Sequence, residues 1–215
     1  MDYSILNKNA YDTLADEYES RADSLIPVTN DSMSYFIPYL KPSGKVLDIG
    51  CAVGIVMSVL RQKGFKVSGI EISPNMAEYA RKRNPNSDII VGDFLKTDLD
   101  EEFDGAVAFA FIHLFPKAEI AKILEKIKSI LKPDGCALLG STESDESKEG
   151  WYAKKDFNKK GKRFRKFWTE KELAEAIGKS GFKILALKKF PDPYGKTWMD
   201  FVVQNNPTET HARNG

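Results

Sequence analysis

The chain has 215 residues, 42% of them hydrophobic and 29% charged, the makeup of a folded globular domain with one sizeable core rather than a disordered or fibrous chain. Its 32 basic and 31 acidic side chains leave a formal charge of +1. No global field therefore draws it to nucleic acid or to an anionic membrane, and any anion recognition must come from a local patch.

In chain order, apolar and aromatic residues at Tyr11, Leu14, Ala15 and Tyr18 predict an amphipathic helix from about Lys8 to Arg21. A second helix is expected from Ser32 to Leu40, ended by Lys41-Pro-Ser-Gly44. An alternation follows. Residues 45–50, 66–72, 88–94, 104–111 and 136–142 read as short apolar strands. Helices are expected at 54–63, 74–83 and 116–131, the second opened by Ser73 as N-cap and Pro74 at the first helical position. This alternation implies βαβ units and a parallel sheet covered by helices on both faces. After a helix from Thr169 to Ser180, residues 182–190 and 196–204 flank Pro191-Asp-Pro-Tyr-Gly195 and read as an antiparallel hairpin. The polar stretch 205–215 reads as a disordered tail.

Residues 143–166 fit neither pattern, being highly charged with aromatics at Trp151, Tyr152, Phe157 and Phe164. An insertion there lies beside the carboxyl ends of the strands, where open α/β sheets bind ligands, and is a candidate lid or substrate wall. Ala106 to Phe115, the longest apolar run, is too short to span a bilayer. The N-terminal segment reads as neither secretory signal nor transit peptide. Cys51 and Cys136 fall in segments expected to be buried and form neither a disulfide framework nor a zinc site. Together these predict a cytoplasmic protein without a metal; they set no oligomeric state.

The strongest motif is Val46-Leu-Asp-Ile-Gly-Cys-Ala-Val-Gly54, a strand entering a small-residue turn that runs directly into a helix. Such a turn lets backbone amides approach a ligand. The dinucleotide fingerprint would need glycine at 52 and 55, where the chain has Ala52 and Ile55, so a nicotinamide cofactor fits badly. Small residues at Gly50, Ala52 and Gly54 after Asp48 instead resemble class I S-adenosylmethionine (SAM)-dependent methyltransferases, bacterial small-molecule enzymes among them, with Ala52 replacing the usual central glycine. Further landmarks follow in order. Glu71 and Ile72 end the second strand, Asp93 and Phe94 the third, and Phe109 the fourth.

The resemblance implies a Rossmann-like, doubly wound, mostly parallel sheet of about seven strands, forming one domain over 1–204. It implies SAM as cofactor and S-adenosylhomocysteine as product. By the same resemblance, Glu71 would accept the ribose hydroxyls, Ile72 pack on adenine, Asp93 accept the adenine amino group, and Phe94 and Phe109 flank the ligand. Tyr11-Asp-x-x-Ala-x-x-Tyr18 resembles a helix that closes over the cofactor in many small-molecule methyltransferases, which makes residues 1–42 a helical lid. Packing of that aromatic stripe on the core is compatible with the same residues.

For the acceptor, His113 and Tyr18 are the candidates to handle a proton, although a histidine hydrogen-bonded in a packed loop is the commoner reading of His113. Trp151, Tyr152, Arg165 and Trp198, with Tyr18 and His113, are the candidate substrate contacts. Lys154, Lys155, Lys159, Lys160, Lys162, Arg163, Arg165 and Lys166 form a basic cluster with interleaved aromatics, readable as an RNA-docking face, an anion grip or a solvated loop. Upstream acids Glu143, Asp145, Glu146 and Glu149 oppose a broad nucleic-acid face. Arg163 and Arg165 would share one face if extended. The expected activity is methyl transfer to oxygen or nitrogen of a small, anionic or aromatic acceptor, with no membrane partner. The alternatives are an RNA- or protein-modifying methyltransferase and a SAM-cleaving or SAM-binding protein of the same fold.

Overall fold

The computed structural model describes residues 3–153, 161–192 and 194–206. Two helices, α1 (Tyr3–Ser20) and α2 (Ala22–Phe36), precede the sheet. The sheet strands are β1 (Lys45–Ile49), β2 (Lys66–Glu71), β3 (Ile89–Val91), β4 (Phe103–Phe109), β5 (Leu131–Thr142), β8 (Phe182–Pro191) and β9 (Thr197–Asn205). Between them lie α3 (Ile55–Gln62), α4 (Pro74–Arg83), α5 (Ile120–Ser129) and α6 (Glu170–Lys179). The seven strands run in the order β3-β2-β1-β4-β5-β9-β8. β1 to β5 pair in parallel and β9 pairs antiparallel with both neighbours, so the seven-stranded sheet and its C-terminal hairpin agree with expectation.

Strand alternation sorts the core to the two faces. Leu47, Ile49, Ala106, Ala108, Ala137, Leu139, Phe201 and Val203 pack toward Ile123, Leu124 and Ile127 of α5 and Leu173 and Ile177 of α6. Val46, Val107, Leu138 and Val202 pack toward Met33 and Phe36 of α2 and Met57 and Leu60 of α3. Both helix N-caps follow from sequence chemistry: Ser73 accepts from the Met76 amide at 3.2 Å, and Thr169 from the Glu172 amide at 3.2 Å. Each is worth about 1 kcal/mol.

Three expectations need correction. α2 begins at Ala22, ten residues before the expected Ser32, and carries Pro27 inside it. Val28, Thr29, Ser32, Met33 and Phe36 are buried at helical spacing, and that packing outweighs the missing proline amide. The charged stretch after β5 forms a second, antiparallel sheet of β6 (Lys148–Ala153) and β7 (Lys162–Phe167). Asn205 belongs to β9 rather than to a tail, its side-chain amide donating to the Leu131 carbonyl at 3.1 Å. Lys154, Lys155, Phe157, Lys159, Lys160 and residues 207–215 lie outside the described residues. Among the described residues, no helix is long and apolar enough to cross a membrane.

Candidate active site

The chain leaves β1 through Gly50, Cys51 and Ala52 before entering α3, and the backbone there is left-handed at Gly50 (φ 72°), Ala52 (φ 47°) and Gly54 (φ 81°). At Gly50 a Cβ would stand 2.7 Å from the Phe111 ring, so glycine is required by space as well as by φ. Ala52 tolerates the same conformation, and its amide donates to Glu71 Oε2 at 2.9 Å. The Ser73 amide donates to Glu71 Oε1 at 2.8 Å. The carboxylate is thus fixed by two backbone donors, each oxygen retaining acceptor capacity.

Asp48, Glu71 and Asp93 line one cavity of about 260 Å³ at the carboxyl ends of β1 to β4. Burial, and next the neighbouring Glu71, push Asp48 up to about 8, so it is neutral at pH 7. Glu71 is also raised, by burial, against opposing hydrogen bonds from Ser73, Ala52 and Ile72. Asp48 Oδ2 and Asp93 Oδ2 are buried without a hydrogen bond, while Asp93 Oδ1 accepts from the Leu95 amide at 3.0 Å. Asp93 Oδ2, with only the exposed Lys96 ammonium at 3.4 Å, is an acceptor that a ligand N–H would satisfy, whereas the protonated Asp48 can also donate. Because the Asp48 folded-state pKa is raised, the parent should lose stability relative to Asp48→Asn as pH rises from about 4 through about 8. Melting temperatures of both proteins across that range test this, and parallel curves would contradict it.

Ile72, Phe94, Phe109, Tyr11, Tyr18, His113, Arg165 and Trp198 line the same cavity. Gly54, Trp151 and Tyr152 do not. Gly54 faces α4, where a Cβ would lie 2.5 Å from Asn84 Nδ2, so its part is close helix packing. Trp151 stacks on Tyr3 at 5.9 Å and meets Phe164 edge-on. Tyr152 meets the Phe167 ring edge-on at 5.1 Å. Pairing with Phe164 turns Trp151 to the face away from the arginines, whereas Tyr152, opposite Arg163, shares their face but lies outside the cavity lining.

α1 forms the roof. Asn7 is pinned on both amide atoms, donating to the Leu114 carbonyl at 3.0 Å and accepting from the Phe164 amide at 2.9 Å. Three acids one turn apart tie α1 to α4. Asp12 accepts from the Ser73 hydroxyl at 2.5 Å, Asp16 from the Tyr79 hydroxyl at 3.0 Å, and Glu19 pairs with Arg83 at 2.7 Å. The sequence reading missed this latch; acids at 12, 16 and 19 along one flank of the apolar stripe are its signal. Tyr11 and Tyr18 sit 5.8 Å apart beneath the roof. Burial raises both phenols, Tyr18 well above its ordinary value, so both stay protonated.

Opposite the carboxylates, Arg165 donates to His113 Nε2 at 3.0 Å and to the Thr142 hydroxyl. A guanidinium only donates, so Nε2 accepts and His113 Nδ1, 3.3 Å from Ser141 Oγ, carries the proton. Trp198 stacks on Phe109 at 4.5 Å, and its indole N–H donates to Asp192 at 3.2 Å. The cavity therefore has an acidic floor for a donor-rich ligand and a cationic, aromatic wall facing it.

This architecture is that of a SAM-dependent methyltransferase domain. A family profile described as "Methyltransferase domain" matches residues 19–187, and the chain belongs to that family. An uncharacterized methyltransferase of Alkaliphilus oremlandii is 32% identical over 143 residues, covering 65% of this chain and 62% of its own. A putative methyltransferase of Bacillus subtilis is 30% identical over 107 residues, 46% of this chain and 42% of its own. The chain thus spans less than two thirds of these relatives' lengths. In fold it is similar to the 1,6-didemethyltoxoflavin-N1-methyltransferase of Burkholderia thailandensis, solved with its acceptor and S-adenosylhomocysteine. The TM-score is 0.70 at 21% identity, over 90% of this chain and 88% of that one.

Proposed function

We propose that the chain transfers a methyl group to nitrogen or oxygen of a small-molecule acceptor held against the Arg165–Trp198 wall. The observation that carries this reading is the single roofed cavity, with the cofactor acids on one side and the cationic, aromatic wall on the other. Glu71 would accept the ribose hydroxyls and Asp93 the adenine amino group. SAM supplies a methyl already activated on a cationic sulfur, so the protein must align the acceptor and exclude water. The α1 roof excludes water. The protonated Tyr11 and Tyr18 act as hydroxyl donors. His113, whose Nε2 is taken by Arg165, orients that guanidinium rather than removing a proton.

The test uses purified protein, methyl-labelled SAM and cell extract separated into small-molecule, RNA and protein fractions. Label is expected in the small-molecule fraction. Label confined to RNA or protein would overturn the reading and make the 154–166 segment a docking surface. With the identified acceptor, His113→Ala should raise KM about 10-fold and leave the pH dependence of kcat unchanged, as for one lost hydrogen bond to a charged group. Loss of a basic limb in the kcat profile would instead make it a general base.

A further inference from the structure

Resting on that reading, we propose that Arg163 and Arg165 form an anion subsite, and that the acceptor carries a carboxylate gripped there while its methyl is received at a separate nitrogen or oxygen. β7 is extended, so residues two apart share a face, and both guanidinium side chains line the cavity beside Tyr11, Tyr18, Thr142 and Trp198. Between them, Phe164 points the other way, into the contact with Tyr3 and Trp151.

Neither arginine has an acidic partner among the described residues. Three other covered or part-buried cations are paired by contrast: Arg83 with Glu19 at 2.7 Å, Lys132 with Asp104 at 2.9 Å and Lys166 with Glu172 at 2.6 Å. Arg163 Nε is buried without a hydrogen bond, and Arg165 spends its donors on a neutral imidazole and a hydroxyl. Burial, and next the adjacent Arg163, bring Arg165 down to about 10. Two partly desolvated guanidiniums side by side repel each other, and an anion between them would relieve both the repulsion and the missing bond. The planar fork of arginine matches a carboxylate.

The carboxylate is the grip and not the nucleophile. Methyl transfer to it would erase its negative charge, and two guanidiniums stabilise that charge more before transfer than after. The same positive field disfavours an ammonium on the acceptor, leaving the amine lone pair free. That lone pair, or one on a hydroxyl oxygen, forms the new bond to the methyl carbon. The carbon–sulfur bond breaks with its electron pair left on sulfur, and the acceptor's displaced proton passes to water.

The small-molecule extract is passed over a strong anion exchanger at about pH 11, where amines are neutral and carboxylates stay charged, and each pool is returned to neutral pH and incubated with the protein and methyl-labelled SAM. Label is expected only from the retained pool, in a product that is itself retained and survives mild alkali. Label from the unretained pool, or an alkali-labile product that releases methanol, would overturn the inference. Transfer to RNA or protein alone would instead defeat the small-molecule reading on which it rests. With the retained pool, Arg163→Gln and Arg165→Lys should each cut the rate about 10- to 100-fold, the worth of a charge-assisted hydrogen bond, while S-adenosylhomocysteine affinity holds within about 2-fold. An unchanged rate in both variants, each binding S-adenosylhomocysteine normally, would also overturn it.

Discussion

Glu71→Gln is expected to weaken S-adenosylhomocysteine binding by about 100-fold, equivalent to about 2.7 kcal/mol. Two effects add. Hydrogen bonds from a ligand's hydroxyls to a charged acceptor are worth about 1.5–3 kcal/mol each, and the amide substitute offers only one oxygen. Its nitrogen would also have to face either the Ala52 or the Ser73 amide, both of which donate to the carboxylate at 2.9 and 2.8 Å. One of those buried donors would lose its partner, and the left-handed turn that shapes the floor would loosen. Calorimetric titration of both proteins measures this directly. An affinity within about 3-fold of the parent would remove Glu71 from the cofactor site.

The second large effect is on stability. Lys166 is fully covered, and its ammonium lies 2.6 Å from Glu172, 2.8 Å from the Ser147 hydroxyl and 2.9 Å from the Phe167 carbonyl, over the face of the buried Trp168. This cluster fixes the end of β7 to the start of α6. Lys166→Met keeps the apolar stem but leaves Glu172 with Lys117, at 2.7 Å on the exposed side, and the Ser147 hydroxyl at 2.9 Å. Breaking a buried pair from one side costs about 3–5 kcal/mol. At about 2–4 °C per kcal/mol, the melting temperature should fall by about 6–20 °C.

The pH dependence of that loss has a definite sign. Burial alone would raise the Glu172 carboxyl, but hydrogen bonds from Lys117, Lys166 and Ser147 hold it below its ordinary value of 4.5. A depressed folded-state pKa contributes stability that is present above the unfolded value and lost as pH falls through the folded one. The gap between parent and variant should therefore be full at neutral pH and narrow as the medium is acidified below about 4.5. A gap independent of pH would mean that the loss comes from packing.

The cofactor side of the cavity was legible because its signals are local. Asp48, Glu71 and Asp93 each end a parallel strand, and strand ends in such a sheet converge whatever the distant contacts are. Arg163 and Arg165 were legible only conditionally, since their shared face depended on β7 being extended. What the sequence hid is decided by partners far along the chain. The first turns of α2 are such a case: Pro27 lies inside the helix, and burial of Val28, Thr29 and Ser32 keeps that stretch helical. Trp151 and Tyr152 were assigned to the cavity because they are aromatic and near it. Trp151 is turned away by its pairing with Phe164 across the hairpin, a register that composition does not set, and Tyr152 shares the face of Arg163 but lies outside the cavity lining. The α1–α4 latch joins residues more than sixty apart, and its acids read alone as a solvated helix face.

The measurement that tests the account most directly is a crystal structure of the chain with S-adenosylhomocysteine. The account predicts the ribose hydroxyls on Glu71, the adenine amino group on Asp93 Oδ2, and the sulfur directed toward the space between Arg165 and Trp198. Ligand bound outside this cavity, or bound within it with Glu71 and Asp93 untouched, would contradict it.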